Sequence, residues 1–249
     1  MKVFVINLSS AVNRRDRISN LCKKLKMDFE IITAIDGREL DENFINDNVY
    51  DYKNCFLTKG EIGCALSHIG VYKEIINRRL PYALIIEDDA IFDSRTVDFM
   101  SAFEKKPKNG IFLLTGDVEY AKNKKMRLGD FNVFPIAKAI RATGYIITLK
   151  TAKKMVEFLM PIRYEADMFE IFRTCGNIKT YFTLPHLIET NDRDKNDSSL
   201  EAERKLVVAN RENYRKKLYS LEKRPKVNFI VSILQMFSKK PKYRNYFDY

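Results

Sequence analysis

The sequence predicts an α/β protein: a largely parallel sheet covered by helices on both faces. Three observations carry this. Short β-branched apolar runs alternate with stretches of helical spacing. The runs at 3–6 (Val-Phe-Val-Ile) and 83–86 (Ala-Leu-Ile-Ile) hold no polar residue, as befits strands buried on both faces. Three of the runs end in polar chemistry, at Leu8, at Glu87–Asp89 and at Gly116-Asp117. In such sheets ligands bind outside the carboxyl ends of the strands.

The elements follow in order. Residues 2–8 read as a strand, and 13–26 as a helix with Ile18, Leu21, Cys22 and Leu25 on one face. Residues 29–33 are a second strand, closed by the turn signal Asp36-Gly37. Residues 38–57 look irregular. Thr58-Lys59-Gly60-Glu61 has capping-box spacing and starts a helix reaching about residue 79. Pro81 introduces the strand 82–87, and a helix covers about 96–105. Strands are expected at 110–115, 132–137, 142–149 and 178–184, with helices at 151–160 and 166–174. No GxGxxG and no phosphate-binding GxxxxGK[ST] loop is present.

Length and composition fit one sizeable core plus an extension: 249 residues, 45% hydrophobic and 31% charged. The four cysteines, Cys22, Cys55, Cys64 and Cys175, form no CxxC pair, which suits a reducing compartment. The N-terminus enters a strand directly, so no secretory signal is expected, and no apolar run has the length of a bilayer span. The net charge of +11 is uneven. Residues 203–249 hold 13 Lys and Arg against 4 Asp and Glu. Two parts are therefore expected: a domain over 1–200 and a basic helical extension over 201–249. Within the extension, 200–224 read as a charged helix. Residues 227–238 place Val227, Ile230, Val231, Leu234 and Phe237 on one face, next to Lys239, Lys240, Lys242 and Arg244. That pattern suits an anionic membrane surface, the other reading being a stripe packed back onto the domain. A core this close to neutral argues against nucleic-acid binding.

The richest signal is Glu87-Asp88-Asp89, three adjacent carboxylates at the end of a buried strand. Alternation along the strand sends Glu87 and Asp89 one way and Asp88 the other. Acids gathered at such a place raise one another's pKa unless a positive group stands nearby. A hard dication, Mn²⁺ or Mg²⁺, carrying a phosphorylated ligand is the natural partner. The plainer reading is acids that solvate a strand end and start the next helix.

Several segments together resemble glycosyltransferase family 25, the bacterial lipooligosaccharide and lipopolysaccharide galactosyltransferases and their collagen-modifying relatives. They are Val5-Ile6-Asn7-Leu8 with Arg14, Arg15 and Arg17; Ala34-Ile35-Asp36-Gly37; Leu57 to His68; Ala83 to Ala90; and Ala142-Thr143-Gly144-Tyr145 to Thr151-Ala152, followed by Asp167. The resemblance covers about residues 2–200. It implies a GT-A-like, Rossmann-like fold, a UDP-sugar donor (usually UDP-galactose), a divalent metal and inversion at the anomeric carbon. Glu87-Asp88-Asp89 stands in the place of the Asp-x-Asp motif, with Glu as a departure at the first position. Asp89 is then the main metal ligand, with Glu87 as co-ligand or ribose contact and Asp88 holding the strand end. His186 is a candidate third ligand, since some such enzymes use a late histidine; the alternative is a surface histidine.

The resemblance also places Asn7, Leu8 and one of Arg14, Arg15 and Arg17 beside the uridine diphosphate, the plainer reading being a solvated basic face. Arginine forks and a helix start both favour phosphate. Lys59 borders the donor pocket at another helix start, and Ser67 and His68 lie in the family-like segment. A one-step inversion needs a general base to take the acceptor proton. Asp167 is the first candidate, with Glu170 one turn on and Asp117 the runner-up. The acceptor expected is a saccharide on a lipid-linked oligosaccharide, and the location cytoplasmic, on the inner face of the bacterial inner membrane. Two other readings use the same features: a metal-dependent nucleotidyl- or phosphotransferase, and a non-enzymatic basic membrane- or nucleic-acid-binding module.

Overall fold

The computed structural model describes residues 1–121, 125–191 and 201–222, with 201–206 and 238–239 described in their backbone only. In chain order the elements are β1 (Lys2–Asn7), α1 (Val12–Lys24), β2 (Phe29–Thr33), a 3₁₀ turn (Gly37–Glu39), α2 (Glu42–Asn48), α3 (Tyr52–Cys55), α4 (Lys59–Asn77), β3 (Tyr82–Glu87), β4 (Ala90–Phe92) and α5 (Ser94–Lys105). Then come β5 (Ile111–Leu113), β6 (Val118–Ala121), β7 (Met126–Leu128), β8 (Phe131–Ala139), β9 (Gly144–Thr148), α6 (Leu149–Leu159), α7 (Phe169–Thr174), β10 (Thr180–Leu184), β11 (Ile188–Thr190), α8 (Glu201–Glu222) and β12 (Ser238–Lys239).

The central sheet runs β12-β6-β8-β10-β5-β9-β3-β1-β2, with β7 on β8. Apart from β8, β9 and β12, its strands all run one way. This is the expected α/β class, with helices on both faces. Strand alternation divides the core into two layers. Phe4, Ile6, Ala83 and Ile85 face α4, α6 and α7. Val3, Val5, Leu84 and Ile86 face Ile18 and Cys22 of α1 and Phe99 and Phe103 of α5. Because β1, β3 and β5 run in the same direction, Asn7, Glu87 and the segment after Leu113 stand at one end of the sheet. Antiparallel β9 starts at that same end, so the turn before Gly144 joins them.

The stretch expected to be irregular holds α2 and α3. Asp41 caps α2 by accepting from Phe44 N at 2.8 Å, and left-handed Asp51 and Phe56 bracket α3. Helix α2 is set by its cap, α3 has no side-chain cap, and both are too short to show a periodic apolar stripe. The capping box at Thr58 forms as expected, with Glu61 Oε2 accepting from Thr58 N at 2.9 Å. The turn after β2 docks on α4 through glycines. A Cβ on Gly63 would lie 2.5 Å from Gly37 N and from Ile35 O. Gly63→Ala should therefore force the turn away from α4 and cost about 1–3 kcal/mol by overpacking. A thermal midpoint unchanged from wild type would contradict this close approach.

Residue 200 does not mark the end of the domain's contacts. Helix α8 was expected to belong to a separate basic extension, but it is pinned to the domain by buried charge. Arg211 is 5% exposed. Its Nη1 donates to Glu61 Oε1 at 2.6 Å and to Glu165 Oε1 at 3.2 Å, and its Nε to Phe56 O at 3.0 Å. Arg215 also donates to Glu165, at 2.6 Å, and Tyr214 to Asp51 at 3.0 Å. Leu218 is buried, and Glu222 accepts from Tyr164 at 2.7 Å and pairs with Arg163. The excess charge of α8 is thus partly spent on acids of the domain. The amphipathic stretch 227–237 and the basic residues from 240 on lie outside the described residues. Arg211→Met leaves Glu61 and Glu165 buried with a partner missing, and should cost about 3–5 kcal/mol. A chain cut after residue 200 should lose at least as much. Urea denaturation of the two proteins against wild type measures both losses, and a cut chain of wild-type stability would contradict the docking.

Candidate active site

The site is built where β1, β3 and β5 end. The three acids leave β3 in different directions, and each meets its own partner. Asp88 turns toward α1. Its Oδ2 accepts from Asn7 Nδ2 at 2.7 Å and lies 3.4 Å from Arg14 Nε, while its carbonyl accepts from Arg17 Nη2 at 2.7 Å. Asn7, itself buried, also donates to Ala11 O at 3.1 Å. Asp88 therefore ties the start of α1 to the strand end, as its place on the opposite face predicts. Burial pushes its carboxyl up, against the pull of Arg14 and Asn7. So enclosed, Asp88 clamps the start of α1 to the strand end.

Arg14 and Arg17 share this face because they lie three residues apart on one helix. Arg15 points about 100° away, and its hydrogen bonds are local to the helix: its N donates to Ala11 O at 3.0 Å and its carbonyl accepts from Ser19 Oγ at 2.6 Å. The pair at the strand end is Arg14 and Arg17. Leu8 sits half-buried at the end of β1, its carbonyl accepting from Ala11 N.

Asp89 turns toward β11. Its Oδ2 accepts from Thr190 Oγ1 at 2.5 Å and its carbonyl from Asn191 N at 2.9 Å. Its Oδ1 is buried and has no hydrogen-bond partner among the described residues. Burial, then the nearby charge of Glu87, pushes its carboxyl up to about 7. A buried carboxylate oxygen left unpaired is costly. A hard dication supplies what it lacks, so the donor set fits Mn²⁺ or Mg²⁺ held by one or two carboxylates plus phosphate oxygens.

Glu87 turns toward α4, where its Oε1 accepts from His68 Nε2 at 3.1 Å. Among the described residues, Cys64, His68 and Glu87 are the acid, His and Cys side chains that converge closely enough to share an ion unaided. His186 does not join Glu87 and Asp89. It is buried, with Nε2 turned onto Glu189, so it is not a surface histidine. His68 is 1% exposed and meets the strand end through Glu87. Ser67 is also buried, accepting from Ile35 N at 2.8 Å and donating to Gly63 O at 2.7 Å; it fastens the turn after β2. Lys59 Nζ donates to Leu40 O at 3.0 Å, again holding that turn and not the acids.

The candidate bases gather beside the acids on the turn before β9. Glu87 N donates to Thr143 O at 2.9 Å, and two residues earlier Arg141 N donates to Asp167 Oδ2 at 3.1 Å. Arg141 Nη1 pairs with Asp117 at 3.2 Å. Arg141 holds φ 71°, a left-handed conformation unusual for a long side chain, so the fold fixes it there against its preference. Asp117 and Asp167, distant in sequence, are thus brought to one arginine. Glu170 is not among them; its charge acts on Arg173 and Tyr219, toward α8. Arg141 and Thr190 had no motif to announce them. Cys64, His68 and Tyr72 did carry a signal, since four-residue steps place them on one stripe of α4.

Asp89 gives a pH dependence. Its folded pKa of about 7 lies above its ordinary 3.8. Between those values the folded protein binds more protons than the unfolded chain, so stability falls as pH rises from about 4 to about 7 and then levels. Asp89→Asn removes that contribution. Urea denaturation in EDTA from pH 4.5 to 7.5 should give a flatter profile for the variant. Matching profiles would contradict the burial of Asp89.

The model of glycosyltransferase family 25 (LPS biosynthesis protein) matches residues 1–170. Procollagen galactosyltransferase 2 of Homo sapiens is 31% identical over 172 residues, covering 62% of this chain and 27% of that protein. Inactive glycosyltransferase 25 family member 3 of Homo sapiens is 34% identical over 101 residues, covering 37% of this chain and 17% of that protein. The chain thus spans about a quarter of the length of the first of these relatives and less of the second. Among solved structures, mouse xyloside xylosyltransferase 1 overlaps loosely, with TM-score 0.34 and 12% identity over 69% of this chain and 66% of that one. A likeness that loose bears on neither fold nor site.

Proposed function

The chain belongs to glycosyltransferase family 25, and from that premise we propose that it moves a sugar, galactose first among candidates, from a UDP-sugar to a saccharide hydroxyl with inversion. The observation that carries this is the buried, unpartnered Oδ1 of Asp89 beside Glu87, at the sheet end where Arg14, Asp117 and Asp167 also stand. The relatives named galactosyltransferases support the sugar. The family's description supports a lipopolysaccharide acceptor.

Glu87 and Asp89 would hold Mn²⁺ or Mg²⁺, which as a Lewis acid eases departure of the diphosphate. Arg14, fixed near Asp88, offers a guanidinium on the side of the diphosphate. The acceptor oxygen attacks C1, the bond from C1 to the phosphate oxygen breaks, and UDP leaves with the electron pair. The acceptor proton passes to a carboxylate. Asp167 suits that role better than Asp117, because Asp117 is paired with the Arg141 guanidinium while Asp167 accepts from a backbone N–H. Attachment to an anionic membrane surface rests on the basic residues beyond Glu222. No helix among the described residues is long and apolar enough to cross a membrane.

The test is UDP release from a panel of UDP-sugars with Mn²⁺ and galactose- or glucose-terminated acceptors. UDP-galactose should be turned over, and Asp89→Asn should lower kcat/KM by about 10²–10³-fold. Release from none of the donors would place the chain with the relatives named inactive. Phosphate or nucleotide transfer without sugar dependence would favour a phosphotransferase.

A further inference from the structure

Behind Glu87 lies a chain of hydrogen bonds that the proposed chemistry does not use. Tyr72 Oη lies 2.7 Å from Tyr145 Oη, Tyr145 Oη lies 2.8 Å from His68 Nδ1, and His68 Nε2 lies 3.1 Å from Glu87 Oε1. Tyr72, Tyr145 and His68 are each no more than 1% exposed. They come from α4 and β9 and meet across the core, with the His68 and Tyr145 rings stacked at 5.8 Å.

The direction of the protons follows from the last member. A carboxylate only accepts, so His68 Nε2 must carry the proton it gives to Glu87. In a neutral ring Nδ1 is then the acceptor, which makes Tyr145 its donor. Tyr145 oxygen in turn accepts from Tyr72. Every proton in the chain points toward Glu87. Burial pushes both phenols well above their ordinary pKa, so they stay protonated donors.

We propose that Tyr145 and His68 are positioning residues: they lock His68 as its Nε2–H tautomer, which holds Oε1 of Glu87 and leaves Oε2 to face the metal and donor. The inference rests on the glycosyltransferase reading for the identity of what Glu87 faces, but not for the tautomer. A carboxylate restrained at one oxygen offers a single, aimed ligand atom, and loss of such a supporting partner weakens metal affinity by about 10–100-fold.

The experiment has two readouts. The chain has two histidines, so long-range ¹⁵N–¹H NMR of the metal-free protein reads the His68 ring directly, with His68→Gln identifying its signals. Wild type should show the Nε2–H tautomer, and Tyr145→Phe a downfield shift of the Nδ1 resonance as that nitrogen loses its hydrogen bond. Calorimetric titration of Mn²⁺ in the presence of UDP should show a roughly tenfold or greater loss for Tyr145→Phe and His68→Asn. His68→Gln, whose amide nitrogen reaches the place of Nε2, should recover most of it. Thermal melts exclude unfolded variants from comparison. An Nδ1–H ring in wild type, or equal affinities for the Asn and Gln variants, would overturn the proposal. Absence of any UDP release by wild type would instead count against the functional reading, leaving the tautomer result in place.

Discussion

Three consecutive carboxylates leave a buried strand, and the surrounding fold is arranged to receive them. Asp88 is taken by α1, through Asn7 and Arg14. Glu87 is taken by α4, through His68. Asp89 is taken by β11, through Thr190, and keeps one oxygen in reserve. Like charges this close repel, and enclosure strengthens that repulsion. Each acid is therefore tied to a different element, and the tie fixes where that element sits. The site and the scaffold are one set of contacts.

A second buried charge cluster repeats the theme. Glu61 caps α4 through the box with Thr58 and then meets Arg211, which also neutralises Glu165. A single glutamate thereby links the start of α4, the segment before α7 and helix α8. The turn after β2 is held to the same helix by close glycine contact and by Ser67. Helix α4 thus carries the site on its middle turns and the docking of the C-terminal helix on its first. Movement of α8 would be felt at the start of the helix that supports Glu87.

Much of the fold was legible because periodicity reports burial. The runs that became β1, β3 and β9 are apolar on both faces, and α1 and α4 have clear stripes and, for α4, a capping box. The short helices α2 and α3 and the strands β4, β6, β7 and β11 were not legible. The helices are too short to show a periodic stripe, and the strands are set by pairing with strands distant in sequence, which leaves no local period. The charged helix α8 was legible as a helix, but its docking was not: charge marks a solvated face unless buried acids elsewhere await it.

The sequence by itself determined the α/β class, the helical stripes, the family-like segments and the place of the acids at a strand end, because these depend on neighbours within a few residues. Strand alternation set Asp88 opposite Glu87, but β3 ends at Glu87, so the expectation that Asp89 shares the face of Glu87 fails: Asp89 lies in the turn and leaves toward β11. Tertiary structure decided which acid is clamped, which is supported and which keeps an unpaired oxygen. It brought Arg14 and Arg17 to the strand end, set His186 against Glu189, and brought Asp117 and Asp167 to Arg141. Those outcomes hang on hydrogen bonds between elements dozens of residues apart, whose geometry is fixed only when the sheet order and helix docking are fixed.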